Sequence, residues 1–545
     1  MNPMGMIMAE LRLAGRPASP GFASGPVVRL VEKKVHRVSS NDPAREADDL
    51  KKAISDALLS ISALADHAEG EAAEILGFQL VMLEDDALSE AAFQAIASGL
   101  PADQAWREAL DVEIEIYCNG DDEYFRARTA DLEDIRDTVL DHLNGSHAQF
   151  SVPPSAIIVA RDLAPSRFLS VDWSRGGAIL LSEGSPTSHV AMLARARRVP
   201  MIVGLGEIPD SASSLILVDG ALGQVIVSPQ DETRAEFLKR QSADEEIAFK
   251  ATALEAEDAV TKDGTRISVL INIAGVEDLD RLDPKICDGI GLVRTEFLFG
   301  EGPVLPDEDT QYQAYRQMLE WAGARPVTIR TLDAGGDKPI KGLTVDGESN
   351  PFLGIRGVRL SLQRLDVFRV QIRALLRAAP HGKLKVMVPM ITVPFELDHV
   401  RALFQGEYEA LKARGVNADM PVLGMMVEVP AAALAVSHFK SDFFSIGSND
   451  LVQYTTAAGR DIGAVASLAD VRHPAVLKLI ELVAAHGEHS GCDVSLCGDA
   501  GGDPDLIPLL LEAGLRSLSV APSLVGRVKL AITHFSFEEV RTRHG

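Results

Sequence analysis

Residues 421–450 have the sequence PVLGMMVEVPAAALAVSHFKSDFFSIGSND, which contains two short apolar runs that each end close to a carboxylate. The segment between the two runs is long enough to form a helix. Strands that alternate with helices along a chain form parallel sheets. The fold of the C-terminal half therefore depends on how often this strand–helix unit is repeated.

The same unit recurs throughout the C-terminal half of the chain. The apolar runs lie at residues 267–273, 289–296, 326–333, 384–391, 421–428, 443–450, 493–499 and 517–522. Eight such units, with helix-length spacers between them, predict a (β/α)8 barrel over residues 260–545. A doubly wound open sheet is the alternative arrangement of the same elements.

The N-terminal half predicts a small α/β domain that is interrupted by helices. Strand-like runs lie at residues 24–30, 156–160, 178–181, 201–203, 215–218 and 224–227. After the first of these runs, Leu50, Ile54, Leu58 and Ile61 recur at the spacing of one helix face. The stretches 72–96 and 127–143 have the same period and are also predicted to be helical.

These patterns predict a multidomain α/β protein. Residues 1–33 and 146–230 form the small α/β domain, and residues 34–145 form a helical subdomain inserted into it. Residues 231–259 are rich in Ala, Glu and Lys and predict a helical linker. The barrel follows the linker.

Composition excludes several classes of function. The chain has 545 residues and a formal net charge of −26, with no concentrated run of Lys and Arg, so we expect no nucleic-acid partner. Its four cysteines are too few for a disulfide framework. No signal peptide is recognisable, and no apolar stretch reaches the ~20 residues that span a bilayer. We therefore expect a cytoplasmic protein without membrane insertion.

Charged side chains follow the predicted barrel strands, where the catalytic groups of such barrels lie. Arginines occur there at four positions, Arg294, Arg330, Arg356 and Arg460. Their planar guanidinium groups suit a phosphate, and Glu428 with Asp450 are hard oxygen ligands of the kind that hold Mg²⁺ beside a phosphate. Asn449 belongs to a turn that opens a helix, whose free N–H groups could bind an anion. Each residue taken alone could equally be a structural ion pair or a buried core carboxylate.

Cys497 and His189 are the two candidate reactive groups. Cys497 lies at a strand end, where it is either a small core side chain or, if the substrate is an enol phosphate, the acid that protonates the enolate. His189 follows Thr187 and Ser188, either of which could cap the helix that begins there. A helix N-terminus disfavours the imidazolium and stabilises an attached phosphate, so His189 is a candidate nucleophile. The alternative is a histidine near a cap with no chemistry.

The chain contains a set of ordered motifs that are specific to one family. They are ASPG (18–21), TSHVAMLAR (187–195), GLVRTEFLF (291–299), IRTLDAGGDK (329–338), NPFLGIRGVR (350–359), VEVPAAA (427–433), FFSIGSNDLVQYT (443–455) and LCGDAGGD (496–503). With these motifs the chain resembles enzyme I of the phosphoenolpyruvate:sugar phosphotransferase system over nearly its whole length. The resemblance also shows departures, because Gln79, Ala164 and Asp499 stand where a His, a Thr and a Glu are common.

The resemblance implies a phosphoenolpyruvate-protein phosphotransferase that phosphorylates its own His189, gives pyruvate, and passes the phosphate to a histidine of a small HPr-like carrier. It implies these site roles: Arg294, Arg330, Arg356 and Arg460 bind the phosphate and carboxylate of phosphoenolpyruvate, Asn449 contacts the phosphate, Glu428 and Asp450 bind Mg²⁺, and Cys497 protonates the enolate. The α/β domain would swivel, the helical subdomain would dock the carrier, and the barrel would form a homodimer.

Three rival functions remain at this point. A nitrogen-type regulatory phosphotransferase would use the same chemistry, although we expect sugar uptake. A dikinase that uses ATP would need a further nucleotide-binding domain, for which the chain has no room and no P-loop. A non-catalytic phosphoenolpyruvate sensor would tolerate the loss of His189 or Cys497, and both are present.

Overall fold

The structure is a computed structural model in which the chain forms two compact units, Met1–Ser242 and Ala243–Gly545. Each unit is described by itself. The structure describes residues 10–30, 37–66, 68, 71–118, 128–145, 152–186, 188–206, 208, 215–280, 282–299, 305–336, 338–345, 347–459, 462 and 465–544.

The first unit contains two sheets. Its strands are β1 (Leu11–Ala14), β2 (Arg16–Ser19), β3 (Phe22–Gly25), β4 (Val27–Arg29), β5 (Ile157–Ala160), β6 (Ala178–Leu181), β7 (Met201–Val203), β8 (Ile216–Asp219) and β9 (Gln224–Val227). One sheet has the order β1-β9-β8-β3 and the other has the order β2-β7-β6-β5-β4. The central strands β5 to β7 are parallel and buried on both faces, which explains their unbroken apolar sequences.

The predicted strand at residues 24–30 was wrong in its extent. The chain there forms two strands, β3 and β4, which pair in different sheets, and Pro26 between them has no N–H to donate to a ladder. Strands β1 and β2 were not predicted. Most of β1 is exposed, so its sequence lacks the apolar signal of a buried strand.

Helices of the first unit lie mainly between β4 and β5. They are α1 (Pro43–Ala65), α2 (Glu71–Glu84), α3 (Asp86–Ala97), α4 (Ala102–Cys118), α5 (Thr129–Leu143), α6 (Pro165–Leu169), α7 (His189–Ala196) and α8 (Asp231–Leu254), which continues into the second unit. The stretch 72–96 is helical as predicted, but it forms two helices, α2 and α3, because Asp85 leaves the helical conformation and its side chain caps α3 by accepting from the Ala87 N–H. In α1, Leu50 and Ile61 are buried as the helical period predicted, whereas Ile54 and Leu58 are half-buried and Ala53 and Ala57 complete the buried face.

The second unit is a closed barrel of eight parallel strands, which confirms the predicted fold and excludes the open sheet. The strands are β10 (Ser268–Ile273), β11 (Ile290–Arg294), β12 (Pro326–Arg330), β13 (Lys383–Val388), β14 (Val422–Val427), β15 (Phe443–Ile446), β16 (Asp493–Leu496) and β17 (Ser517–Val520). Each strand pairs with the next along the chain, and β17 pairs with β10. All carboxyl ends therefore meet at one mouth.

Helices surround the barrel and bury one apolar face against it. They are α9 (Glu296–Phe299), α10 (Glu308–Ala322), α11 (Val358–Gln363), α12 (Leu365–Ala378), α13 (Pro394–Ala413), α14 (Pro430–Leu434), α15 (Ser448–Thr456), α16 (Pro474–Ser490), α17 (Ile507–Glu512), α18 (Val525–Thr533) and α19 (Phe537–His544). In α12 the buried side chains Phe368, Ile372, Leu375 and Leu376 recur at helical spacing.

Helix α8 is held in each unit by different contacts. In the first unit, Phe237 packs edge-on against Phe22, with ring centroids 5.4 Å apart, and Arg240 pairs with Asp219. In the second unit, Arg527 binds Asp244 of α8 at 3.0 Å. Just after the end of the helix, the main-chain carbonyls of residues 255 and 257 accept from the buried Lys529, each at 2.7 Å. Within the described parts of the chain, no helix is both long and apolar enough to cross a membrane.

We expect truncation of Leu50 to alanine to lower the free energy of unfolding by about 2–5 kcal/mol, because the side chain is fully buried and its removal leaves a cavity. Urea denaturation followed by circular dichroism measures this change. Leu59, on the same helix, is 68% exposed and provides the control, since its truncation should change stability by less than about 0.5 kcal/mol. Equal losses for the two variants would contradict the packing described for α1.

Candidate active site

An open cavity of about 280 Å³ lies at the carboxyl ends of the barrel strands. Its lining combines cations, carboxylates and one thiol: Leu292, Arg294, Arg330, Lys338, Met426, Glu428, Gly447, Asn449, Asp450, Cys497, Gly498 and Asp499. The barrel topology explains this gathering, because β11, β12, β14, β15 and β16 all end at the same mouth. Of the nine site residues predicted from the sequence, six line this cavity: Arg294, Arg330, Glu428, Asn449, Asp450 and Cys497.

The two arginines that line the cavity differ in how they are held. Arg330 is buried and binds Glu296, and its Nη1 lies 3.1 Å from Asp333 Oδ2. Arg294 is half-buried and has no hydrogen bond or ion pair with any residue that the structure describes. Lys338 adds a third cation, with Nζ 3.1 Å from Glu296 Oε1. The cavity therefore offers positive charge to an anion, with Arg294 as the most available donor.

Arg356 does not line the cavity but lies behind it. Its side chain is fully buried, with Nε and Nη2 donating to Asp333 at 3.1 and 3.0 Å. Nη1 and Nη2 each donate to Asp450 at 2.9 Å, and Nη1 also contacts Tyr454 Oη at 3.3 Å. In this arrangement Arg356 fixes the carboxylate of Asp450, and a direct contact to a substrate remains a prediction.

Glu428 and Asp450 contribute two carboxylates to the cavity. Glu428 Oε1 accepts from the Met390 N–H at 2.6 Å. Burial, and then the nearby charges of Asp450 and Asp333, raise the pKa of Glu428 to about 8. Gly447 is required beside it, since a Cβ there would lie 2.9 Å from Glu428 Oε2. Two acidic side chains are thus held together where a cation would relieve their repulsion.

The side chain of Asn449 is held by two hydrogen bonds to Asp499. Its Nδ2 donates to Asp499 Oδ2 at 2.9 Å, and its Oδ1 accepts from the Asp499 N–H at 3.0 Å. Gly498 allows this close approach, because a Cβ there would lie 1.9 Å from Ser448 Oγ. The reciprocal pair fixes which way the Asn449 amide points, and it joins the loop after β16 to the start of α15.

The thiol of Cys497 is buried at the cavity wall among Leu292, Met387, Met426 and Phe443. Its Sγ lies 3.7 Å from the Ile446 carbonyl oxygen. Burial raises the pKa of this thiol to about 11. Cys497 therefore holds its proton at neutral pH, which is the state that an acid catalyst needs.

His189, in the first unit, is the first residue of α7. Ser188 is its cap, with Oγ accepting from the Ala191 N–H at 3.3 Å, whereas Thr187 lies outside the described residues. His189 Nδ1 is 3.2 Å from Oδ1 of the buried Asp131, whose other oxygen binds Arg128 at 3.1 Å. A carboxylate at Nδ1 favours the tautomer that carries its proton there, which leaves Nε2 as the nucleophilic nitrogen.

Five polar residues of these sites were not predicted as site residues: Asp131, Glu296, Asp333, Lys338 and Asp499. Asp131 lies 58 positions before its histidine, in a helical stretch whose sequence gives no sign of the contact. Glu296 and Lys338 were present in the quoted motifs but received no role. The predicted Arg460 lies outside the described residues, so the structure gives no position for it.

Comparisons with known proteins identify the family. Residues 249–537 match the family described as "PEP-utilising enzyme, PEP-binding domain", residues 14–128 match its N-terminal model, and residues 152–223 match its mobile-domain model. A "Phosphoenolpyruvate-protein phosphotransferase" of Latilactobacillus sakei is 36% identical over 534 residues, covering 95% of this chain and 93% of that protein. The chain belongs to the phosphoenolpyruvate-protein phosphotransferase family.

Two further relatives have the same name. The protein from Geobacillus stearothermophilus is 35% identical over 551 residues, covering 98% of this chain and 95% of that protein. The protein from Haloferax volcanii is 38% identical over 487 residues, covering 88% of this chain and 84% of that protein. The resemblance seen in the motifs is confirmed, and this phosphotransferase is a transferase that uses phosphoenolpyruvate.

We expect the Cys497 thiol of this phosphotransferase to react slowly with iodoacetamide at pH 7, because the thiolate is the reactive form and the pKa is about 11. The rate should rise about tenfold for each pH unit between pH 7 and 9, since the thiolate fraction grows by that factor below the pKa. Mass spectrometry of the alkylated peptides measures the rate, with the exposed Cys118 as the internal control for reagent and access. A rate that levels off near pH 8 would show that the thiol ionises readily.

Proposed function

We propose that this chain transfers the phosphoryl group of phosphoenolpyruvate to His189, releases pyruvate, and passes the phosphoryl group to a histidine of a small HPr-like carrier protein. The observation that carries the proposal is the barrel cavity, where Arg294, Arg330 and Lys338 lie with the carboxylates of Glu428 and Asp450 and a protonated thiol. An anionic enol ester needs all three kinds of group: cations for its charge, a metal site for its phosphate, and an acid for its carbon.

The cations and Asn449 are proposed to hold the substrate. Arg294 and Arg330 bind its phosphate and carboxylate, and Lys338 lies on the same cavity wall. Asn449, oriented by Asp499, donates to the phosphate. Arg460 and Arg356 stay in the proposal as further substrate arginines, with Arg356 also anchoring Asp450. Fixed donors of this kind stabilise a loose phosphoryl transition state by position and charge.

Mg²⁺ is the proposed metal, and Glu428 and Asp450 fit it. Both are hard oxygen donors in one cavity, and a cation bound between them would offset the repulsion from Asp450 and Asp333 that, after burial, raises the pKa of Glu428. Among the described residues, no group of three or more His, Cys, Asp or Glu is arranged to hold a metal ion. Mg²⁺ is commonly bound through one or two carboxylates together with the phosphate of its substrate. When bound, Mg²⁺ would neutralise charge on the phosphate.

The proposed transfer conserves atoms and charge. A bond forms between His189 Nε2 and the phosphorus as the bond from phosphorus to the enol oxygen breaks. The Sγ–H of Cys497 then gives its proton to the terminal carbon of the enolate, which becomes the methyl group of pyruvate, and solvent returns a proton to the thiolate. Asp131 holds the Nδ1 proton and stabilises the ring while Nε2 carries the phosphoryl group.

His189 must reach the barrel cavity in one half-reaction and the carrier in the other. We propose that residues 1–33 and 146–230 form the swivelling phosphohistidine domain and that residues 231–259, which include α8, act as the hinge. Residues 34–145 would dock the carrier, and residues 260–545 would bind phosphoenolpyruvate. The separate contacts that hold α8 in each unit support a hinge between Arg240 and Asp244.

The proposed partners are the small HPr-like carrier protein, which would serve sugar uptake, and a second copy of this chain. Leu59, Val112 and Ile116 are exposed apolar side chains on α1 and α4, which pack together, and they support a protein-docking face on the helical subdomain. Other exposed apolar side chains follow the carboxyl ends of barrel strands and support a homodimer through the barrel: Phe297, Leu353, Val393, Phe395 and Leu434.

We expect the protein to acquire an acid-labile label on His189 when it is incubated with radiolabelled phosphoenolpyruvate and Mg²⁺ without ATP. His189→Gln should acquire none, because it lacks the nucleophilic nitrogen. His486→Gln is the matched control, since His486 packs against Phe444 away from either site. Label on the His189→Gln protein, or labelling that requires ATP, would refute the proposal.

We expect Arg294→Gln to raise the phosphoenolpyruvate concentration for half-maximal labelling by about 10- to 100-fold, because a hydrogen bond to a charged group contributes about 1.5–3 kcal/mol. Single-turnover labelling at varied phosphoenolpyruvate measures this. Arg316→Gln, which removes a barrel arginine paired with Glu320, should leave the value unchanged. An unchanged value for Arg294→Gln would exclude that residue from the substrate site.

A further inference from the structure

Gln371 is a buried amide in an otherwise apolar layer between α12 and the barrel. Its side chain is 1% exposed. On the same helix, Phe368, Ile372 and Leu375 fill the space against the barrel with apolar groups. An amide in such a layer costs free energy unless its polar atoms are hydrogen-bonded. Gln371 is therefore compatible with a stable fold only if its amide is hydrogen-bonded to neighbouring residues.

All hydrogen-bonding groups of the Gln371 amide have partners. Oε1 accepts from the Leu332 N–H at 3.0 Å. Nε2 donates to Tyr315 Oη at 3.2 Å and to Thr295 Oγ1 at 3.4 Å. Tyr315 in turn donates to Gln311 Oε1 at 3.2 Å. The amide is thus the centre of a buried network that connects two helices with the ends of two strands.

The partners of Gln371 adjoin residues of the barrel cavity. Thr295 stands between Arg294, which lines the cavity, and Glu296, which binds Arg330 and Lys338. Leu332 immediately precedes Asp333, the carboxylate that pairs with Arg330 and Arg356. One amide therefore holds the backbone on both sides of the charged groups that follow β11 and β12.

The sheet itself does not fix these positions. The Thr331 N–H still donates to the Met387 carbonyl, at 2.9 Å, but the next N–H, that of Leu332, donates to Oε1 of Gln371 instead of to a strand. Thr295 lies one residue past the end of β11, and its Oγ1 donates to the Arg330 carbonyl at 3.0 Å. The two strand ends are thus connected to each other and to α12 beyond the ladder.

We propose that Gln371 is a positioning residue for the transfer from phosphoenolpyruvate: its amide sets the separation of the strand ends that carry Arg294, Glu296 and Asp333. This inference rests on the proposed function of the barrel cavity. Gln371 has no contact with the cavity and acts through Thr295 and Leu332. Small displacements of groups that bind a transition state are costly, and a shift of about 1 Å can cost about 100-fold in rate.

The test compares Gln371→Met with a control on the same helix. Methionine fills the same volume without polar groups. The control for lost packing is Ile372→Val or Ile372→Ala, whichever lowers the thermal unfolding temperature as much as Gln371→Met does. Single-turnover labelling of the full chain from radiolabelled phosphoenolpyruvate and Mg²⁺ gives a maximal rate and a half-saturating concentration. We expect Gln371→Met to lower the maximal rate about 10- to 100-fold, and the control to retain it.

A second variant keeps the test informative if Gln371→Met does not fold. Glu at 371 can accept from Leu332 in either state, but only its protonated form can donate to Thr295. Burial raises the pKa of a carboxyl group, so the maximal rate of Gln371→Glu, relative to the original protein, should be highest at low pH and fall as pH rises. A ratio that does not change with pH would overturn the inference.

The outcomes separate this inference from the proposed function. If the original protein acquires no label on His189, the proposed function fails. If the original protein is labelled and Gln371→Met is labelled at the same maximal rate, the proposed function stands and the positioning role is wrong. Equal losses in Gln371→Met and in the stability-matched Ile372 variant would also overturn it, because lost packing would then explain the effect.

Discussion

The ion pairs of one buried guanidinium, that of Arg356, determine how the barrel mouth is built. They join Asp333, which follows β12, to Asp450, at the start of α15. The Arg356 side chain is fully buried between them. Removing one partner of a buried ion pair typically costs about 3–5 kcal/mol, because the other charge is left without compensation. The neighbouring groups depend on this neutralisation: Arg330 shares Asp333, and Asp450 faces the cavity together with Glu428.

Burial at the mouth has opposite consequences for the groups that line it. It raises the pKa of Cys497 to about 11 and keeps the thiol protonated, as an acid requires. It also raises the pKa of Glu428 to about 8, which opposes the charged form that a metal ligand requires. A divalent cation bound by Glu428 and Asp450 would favour the charged form of Glu428. The same low-polarity wall can therefore support both proposed roles once cation and substrate are bound.

The histidine of the first unit depends on a different kind of support. His189 begins a helix, and its Nδ1 is held by Asp131 from a separate helix, α5. Ala164 offers no hydroxyl where a threonine is common in the family, and the carboxylate of Asp131 supplies a partner for the ring. Gln79 and Asp134 form a buried hydrogen bond at 2.9 Å nearby on α2 and α5, so Gln79 serves the interior of the helical subdomain.

The sequence by itself determined the barrel, the inserted helices and most of the groups at the cavity. The repeated apolar runs predict a parallel barrel, and a parallel barrel brings all strand ends to one mouth. The linear sequence places five of the cavity residues at those strand ends: Arg294, Arg330, Glu428, Asp450 and Cys497. Only the tertiary structure decided that β1 pairs with β9, that β2 pairs with β7, and that the helix is interrupted at Asp85. It also decided the partners of Arg356, His189 and Gln371. Each of these depends on contacts between residues far apart along the chain, such as Asp131 with His189, and local periodicity carries no information about which distant group will fill a hydrogen bond.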